Sequence, residues 1–243
     1  PESVQNPIKY YSNNTANSLN LIQCCVKHKV KHFLFSSTAA VYGVPESGTC
    51  AETSPTAPIN PYGQSKRMTE HMLEDICNAT DMNFVALRYF NVAGAHESNK
   101  LGQRMPDATH LIKIIAQVLT KKRASINVFG TDYPTPDGTC IRDYIHVCDL
   151  AIAHRLALQY LQDGGTSNIF NCGYSKGFSV NEVIDTAKTL FGAFNVIPAP
   201  RRDGDPPCLI ANADKLKTTL HWTPQHNDLA NIIQSAVDFE RLL

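Results

Sequence analysis

What this chain lacks narrows its chemistry first. None of its 13 glycines falls into Gly-x-Gly-x-x-Gly or Gly-x-x-Gly-x-x-Gly, so the phosphate cradle of a dinucleotide-binding helix is not among these 243 residues. Neither sign of charge dominates: Lys plus Arg and Asp plus Glu both number 22, so no field steers the chain to nucleic acid or to an anionic membrane. No apolar run approaches the length that spans a bilayer, and the opening Pro1-Glu2-Ser3 does not resemble a signal peptide. The eight cysteines form no Cys-x-x-Cys and no ladder of spacings, which points to reduced thiols in a cytoplasmic setting, not a disulfide framework or a zinc site. His28 and His32 are four apart, but Lys27, Lys29 and Lys31 surround them. A solvated helix end is expected there, and no metal.

What is present reads as a globular chain, 43% hydrophobic and 18% charged, long enough for one large domain or two small ones. Its most informative stretch is Asn60-Pro61-Tyr62-Gly63-Gln64-Ser65-Lys66. Pro61 suits the first position of a helix, which puts Tyr62 and Lys66 one turn apart on a shared face. An ammonium held there favours the phenolate and is expected to lower the tyrosine's pKa from its usual ~10 toward neutrality. Tyr62 then becomes a candidate general base.

Around it the pattern alternates. Helix is expected from about Tyr10 to His28, a strand over Val30–Phe35 that ends in Ser36-Ser37-Thr38, and a long loop to Pro61. Next come a helix to about Cys77 and a strand over Phe84–Phe90, closed by Asn91. Such alternation argues a parallel sheet, whose ligands bind beyond the carboxyl ends of the strands. Thr38, Tyr62 and Asn91 therefore converge on one edge. Further on, loop is expected over Gly94–Pro106, helix over Ala108–Lys122, strand over Ile126–Phe129 and loop over Asp132–Gly138. After Cys140–His146 follow helix Leu150–Leu161, strand Ile169–Asn171, helix Val180–Leu190, strand Phe194–Ile197, loop Pro198–Pro207 and helix Leu229–Leu243.

Six landmarks then stand in order: Phe35-Ser36-Ser37-Thr38-Ala39-Ala40-Val41-Tyr42-Gly43, Pro61 to Lys66, Leu87-Arg88-Tyr89-Phe90-Asn91-Val92-Ala93-Gly94-Ala95, Phe129-Gly130-Thr131-Asp132-Tyr133, Arg142-Asp143-Tyr144-Ile145-His146-Val147 and Pro200-Arg201-Arg202-Asp203-Gly204-Asp205. Together they resemble the sugar-nucleotide branch of the extended short-chain dehydrogenase/reductase family, over essentially the whole chain. The fold this resemblance implies is α/β: a partial Rossmann-like doubly wound parallel sheet lacking its first strands and glycine loop, plus a smaller α/β substrate-binding domain. Residues 1–92 would belong to the first and 93–243 mainly to the second, with a segment around 140–175 returning to the Rossmann sheet. The expectation is thus a chain cut in front of Pro1, inactive by itself.

The resemblance also implies roles. Tyr62 would take the proton from the sugar 4-hydroxyl, Thr38 would bond the same hydroxyl, and Lys66 would bind the nicotinamide ribose. Asn14 and Tyr89 would touch NAD, while Asn91, His110, Leu111, Asn127, Arg142, Arg202 and Asp205 would hold uridine diphosphate, as the affinity of guanidinium forks for diphosphate also suggests. Leu209, or Cys208 one place earlier, would gate the substituent at sugar C2. The implied activity is inversion at C4 between UDP-glucose and UDP-galactose through a 4-keto sugar, in a cytoplasmic homodimer. Use of the N-acetyl sugars, or UDP-sugar binding without catalysis, are the alternatives. A 4,6-dehydratase is disfavoured because Ala39 and Ala40 stand where it needs an acid pair. Blander readings exist too: an ion pair with Asp143 or another acid for Arg142, a strand-end turn for Asn91, a backbone-bonded hydroxyl for Thr38.

Overall fold

The structure is a computed structural model that describes residues 2–105 and 107–243. The chain opens with α1 (Glu2–Gln5), α2 (Pro7–Tyr10), a π-helical segment (Tyr11–Ala16) and α3 (Asn17–Lys27), then forms β1 (His32–Thr38) and a single 3-10 turn (Ala39–Tyr42). Next come β2 (Thr49–Cys50), α4 (Pro61–Asn78), β3 (Asn83–Tyr89), β4 (Asn91–Ala93), α5 (Leu111–Leu119), β5 (Ile126–Phe129) and β6 (Ile141–His146). The remainder is α6 (Val147–Gln162), β7 (Asn168–Cys172), β8 (Gly177–Ser179), α7 (Val180–Phe191), β9 (Val196–Ala199), β10 (Cys208–Ala211), α8 (Asp214–Leu220) and α9 (Leu229–Arg241). The loop expected over Gly94–Pro106 ends on a residue outside the described ones.

Three strands in the order β1-β3-β7, all parallel, make the first sheet. β3 is buried from Phe84 to Arg88 because both its faces are covered, as the near-continuous apolar run Phe84-Val85-Ala86-Leu87 anticipates. On one side Phe35, Phe84 and Ala86 meet Ile22 of α3 and Leu73 of α4; on the other Val85, Leu87 and Phe170 meet Leu161 of α6, Leu216 of α8 and Trp222. Each such aliphatic or aromatic side chain contributes roughly 1.5–3 kcal/mol of transfer free energy.

The second sheet runs β2-β10-β6-β4, with β8 antiparallel on β6, and β5 pairs with β9 in a separate ribbon. Its core gathers Ile115 of α5, Val128, Ile184 of α7 and Ile233 of α9. Of the stretch from about 140 to 175, β7 lies in the first sheet, while β6 pairs with β4 and β10 in the second. The run read as one strand to Phe90 is split: β3 ends at Tyr89, and Asn91 starts a strand of the other sheet, opposite Tyr144. Phe90 makes the crossing, with its N–H on the Cys172 carbonyl at 3.1 Å. Asn91 therefore stands at the seam between the sheets. Among the described residues no helix is long and apolar enough to cross a membrane.

Candidate active site

A cleft of about 740 Å³ opens along that seam, at the carboxyl ends of β1 and β3. β1 delivers Ser36 and Thr38, which share a face because they are two residues apart. α4 delivers Tyr62. Its start is fixed by the Asn60 carboxamide, which accepts the Gly63 N–H at 2.9 Å, with Pro61 at the first helical position. Gly63 is required here: a Cβ would come 2.5 Å from the Ala40 carbonyl oxygen, so only glycine lets the helix rest on the turn after Thr38.

Tyr62 is half-buried and stands edge-on to Tyr10, ring centroids 6.0 Å apart. Burial raises its pKa, and a hydrogen bond with the Thr38 hydroxyl works in the opposite direction. The expected lowering by Lys66 is corrected here. The ammonium donates to the Ser36 carbonyl at 2.9 Å and lies 4.9 Å from the Phe35 ring centre, and burial and the Thr38 bond, not Lys66, set the phenol's shift; burial lowers the ammonium's own pKa. Spacing put the two residues on one helix face but could not say which neighbour the long side chain would choose.

Below the cleft lies a buried network. Arg88 forks onto Glu70 through Nε and Nη2, at 2.9 and 2.8 Å, and gives Nη1 to the Tyr42 hydroxyl at 3.0 Å. Tyr42 donates to Asn171 Oδ1 at 2.7 Å, and Ser37 donates to Glu70 at 2.5 Å. Burial alone would raise the Glu70 pKa, but the bonds and charge of Arg88 carry it below the usual carboxylate range. These contacts tie α4 to β1, β3 and β7, so the helix that carries Tyr62 is anchored in all three strands of the sheet.

From the opposite wall come Asn91, His110, Arg142, Asp205 and Leu209, with Tyr89 on the β3 side. Arg142 gives Nη1 to the Ile141 carbonyl at 2.8 Å, and its Nη2 lies 3.9 Å from Asp205, beyond hydrogen-bond length. The neighbouring Asp143 is engaged elsewhere, accepting the N–H groups of Tyr174, Ser175 and Ala211 at 2.9, 3.0 and 3.3 Å. Burial nevertheless pushes its carboxyl up to about 6. Nearby, the His146 ring stacks on His226 with centroids 4.5 Å apart, and burial pushes it down to about 4. Ligand atoms of His146, Cys148 and His226 come within 4.8 Å of one another, but both His146 nitrogens have partners already: Nδ1 takes the Cys148 N–H at 3.2 Å and Nε2 lies 3.3 Å from Ser235 Oγ.

Five expected site residues are not on the cleft wall, Lys66 on its Ser36 carbonyl being one of them. Asn14 donates its side-chain amide to Ser65 Oγ at 3.0 Å, and its backbone carbonyl accepts the Thr69 hydroxyl at 2.7 Å. Asn127 is exposed on β5, Arg202 lies with its guanidinium 3.6 Å from the Phe129 ring centre, and Leu111 lines a small adjoining pocket with Asn91 and His110. Among the wall residues not anticipated are Ser36 and His154, joined side chain to side chain at 3.2 Å. Ser36 was open to discovery from its two-residue offset from Thr38. His154 was not, because it arrives on a helix 118 residues away.

A β-sheet covered by helices on both faces, with a tyrosine at the head of a helix facing strand-end hydroxyls, defines the class. The chain matches the family described as NAD dependent epimerase/dehydratase over residues 1–173, and it belongs to that family. It is 54% identical to the UDP-glucose 4-epimerase of Azospirillum brasilense, across 100% of this chain and 70% of that one. Among solved structures, the UDP-glucose 4-epimerase of Brucella ovis in complex with NAD superposes with a TM-score of 0.94 at 40% identity, covering 99% of this chain and 74% of that one. The UDP-Glc/GlcNAc 4-epimerase of Campylobacter jejuni matches at 52% identity with a TM-score of 0.83, covering 100% and 74%.

Proposed function

We propose that this chain carries the catalytic and sugar-nucleotide-binding residues of an NAD-dependent epimerase that interconverts UDP-glucose and UDP-galactose at C4. The observation that carries this reading is the pairing of Tyr62 with Thr38 at the carboxyl end of β1, immediately before Ala39 and Ala40. A dehydratase needs an acid and a base at those two positions, and methyl groups supply neither. The epimerase needs one group that takes a proton and returns it, and Tyr62 fills that role beside a hydroxyl able to relay hydrogen bonds to the sugar.

The residues fit the nicotinamide end of NAD: the phenols of Tyr62 and Tyr89 and the hydroxyls of Ser36 and Thr38 share one wall of the cleft, chemistry suited to a ribose and a carboxamide. Bound NAD supplies the acceptor for the hydride that leaves sugar C4. Thr38 and Tyr62 hold the 4-hydroxyl and manage its proton. Asn91, His110, Arg142 and Asp205 grip the uridine diphosphate from the opposite wall, and remote grip of this kind leaves the hexose free to present either face. Arg202, Asn127, Leu111 and Asn14 act from outside that wall, on the nucleotide or on the helix that carries Tyr62. Residues 1–92 form the cofactor side and 93–243 mainly the sugar-nucleotide side, with β7 returning to the first sheet.

Leu209, buried on the wall beside Asp205, sets the room at sugar C2. The Campylobacter jejuni neighbour supports the N-acetyl sugars as a second substrate class. A homodimer is supported by apolar side chains left exposed on the first helices and α4: Val4 56%, Ile8 77%, Leu21 56% and Met68 36%. Cytoplasmic placement is supported by eight free thiols.

The test is conversion of UDP-galactose by the NAD-bound protein. Tyr62→Phe is expected to lower kcat by about 10²–10⁴, the usual worth of a general acid or base. A near-normal rate removes Tyr62 from the chemistry.

A further inference from the structure

The loop between β4 and α5 reaches the cleft with Leu101, Gly102 and Gln103, and two of these are pinned to the helices behind them. Gly102 rests on the Phe239 ring of α9, where a Cβ would come within 2.4 Å, so only glycine lets the loop lie this close. Gln103 gives its backbone carbonyl to the Lys113 ammonium of α5 at 2.5 Å, and Lys113 is itself paired with Glu240 of α9. Both members of that ion pair are buried, an arrangement of little net worth to stability. What it fixes is the place of Gln103. From there the carboxamide nitrogen reaches His110 Nδ1 at 2.7 Å, and the two residues together line both the cleft and the small pocket beside it. His110 is the residue before α5, and its ring makes no capping bond to that helix.

A carboxamide nitrogen can only donate, so His110 Nδ1 accepts. In the neutral ring, the form above about pH 7, the hydrogen then sits on Nε2. No partner for Nε2 is found among the described residues. His110 therefore keeps a hydrogen, not a lone pair, for whatever enters the cleft. A diphosphate oxygen, rich in lone pairs and without hydrogen at that pH, suits such a donor, and the start of α5 favours negative charge beside it. Without Gln103 the ring would be free to turn and to exchange tautomers. A phosphate oxygen would then meet a lone pair in part of the population.

We propose that Gln103 is a positioning residue for the nucleotide: it holds the His110 ring in one orientation and one tautomer, with Nε2–H kept for a diphosphate oxygen. The proposal rests on reading the cleft as a uridine diphosphate site with His110 in its wall. Gln103 acts only through His110, and no proton or hydride of the reaction passes through either residue. Its loss therefore shows in the grip on the nucleotide and not in turnover.

Two readouts test it. In the chain with no ligand added, at pH 8, nitrogen NMR of the histidine rings is expected to show His110 with a bare Nδ1 and hydrogen on Nε2, its signals assigned by their loss in His110→Asn; hydrogen on Nδ1 overturns the proposal. Calorimetry with UDP alone supplies the second. Gln103→Met, which keeps the bulk and removes the donor, is expected to weaken UDP about fivefold, and in the NAD-bound protein to raise KM for UDP-galactose by a similar factor with kcat within about twofold. His110→Ala is expected to weaken UDP about tenfold, and Gln103→Met added to it is expected to cost nothing more, because both changes remove the same donor. Losses that multiply mean that Gln103 acts on the loop and not through His110, and overturn the proposal. So does a Gln103→Met variant that binds UDP normally while His110→Ala does not, an outcome that leaves the nucleotide reading of the cleft standing. A His110→Ala variant of unchanged affinity overturns both, since it takes His110 out of the grip altogether.

Discussion

The two walls of the cleft are built on opposite principles. On the wall that carries Tyr62, the fully buried carboxylate has partners of opposite sign: Glu70 takes Arg88 and Arg67, and the pair is tied by Tyr42 to Asn171. On the wall that carries Arg142, the ionisable groups beside it have backbone or hydroxyl partners: Asp143 collects three N–H groups, and His146 is held neutral between Cys148 N–H, Ser235 and the His226 ring, while the ion pair on that side, Lys113 with Glu240, lies behind the adjoining pocket. One wall has its ion pair directly beneath the catalytic helix, on α4 and β3. The other is held by polar contacts around strand ends and ends in a loop, 200–207. The difference suits a reaction in which proton and hydride must meet fixed groups while the nucleotide is gripped remotely.

The largest expected effect comes from breaking the lock. Arg88→Met leaves Glu70 buried without its main partner, and removal of one member of such a pair costs about 3–5 kcal/mol. Urea denaturation of the variant is expected to show that loss, and Arg88→Met combined with Glu70→Leu is expected to recover most of it, because the uncompensated charge is gone. If the single change costs less than about 1 kcal/mol, a typical net hydrogen bond, the contrast between the walls is lost.

Acid sharpens the contrast next, because the response belongs to the other wall. Burial holds His146 at about 4. Unfolded, it takes a proton near 6.5, so its contribution is full above 6.5 and is lost as pH falls from there toward 4. Asp143 has the opposite sign: raised to about 6, it contributes fully below the unfolded value near 3.9 and loses that as pH rises through 6. Each is worth roughly 3 kcal/mol at its limit, so between pH 4 and 6 the two slopes nearly cancel. Asp143→Asn removes one of them. Its denaturation midpoint is expected to climb steeply from pH 4 to 6.5 where the unchanged protein's stays nearly flat; parallel curves would refute the assignment.

The two walls also differed in how far the sequence could be read. Tyr62, Thr38 and Asn91 were legible because each sits at an element's end, where a proline, a hydroxyl run or a strand-closing amide marks the place, and alternation of helix and strand orders those ends along one edge. The short strands β2, β4 and β8 were not, since two or three residues carry no periodicity to detect, and β10 went unread with them. They assemble the second sheet, and through it they decide which arginine faces the cleft. Arg142 and Arg202 look alike as letters. Only the pairing of β6 with β10 puts the first on the wall, and only the Phe129 ring holds the second away from it. The partner of Lys66 was hidden for a similar reason: a backbone carbonyl leaves no mark in a sequence.

That last pair of arginines gives the smallest and most discriminating effect. Arg142 keeps donors of its fork uncommitted, with Asp205 at 3.9 Å, so a diphosphate gains its charge-assisted bonds at little cost; Arg142→Ala is expected to weaken UDP binding about tenfold or more. Arg202 must first leave the Phe129 ring, giving up about 0.5–2 kcal/mol of cation–π contact against about 1.5–3 kcal/mol for a bond to a charged oxygen. The surplus is small, and Arg202→Met is expected to weaken UDP binding only about threefold, read by calorimetry on the same preparation. Phe129→Leu turns the comparison into a test of cause: with the ring gone the guanidinium has nothing to leave, so UDP binding should tighten by a similar factor and Arg202→Met should then cost more than before. If Phe129→Leu leaves the affinity unchanged, the ring is not what restrains Arg202, and the two guanidinium groups differ for some reason other than their resting contacts.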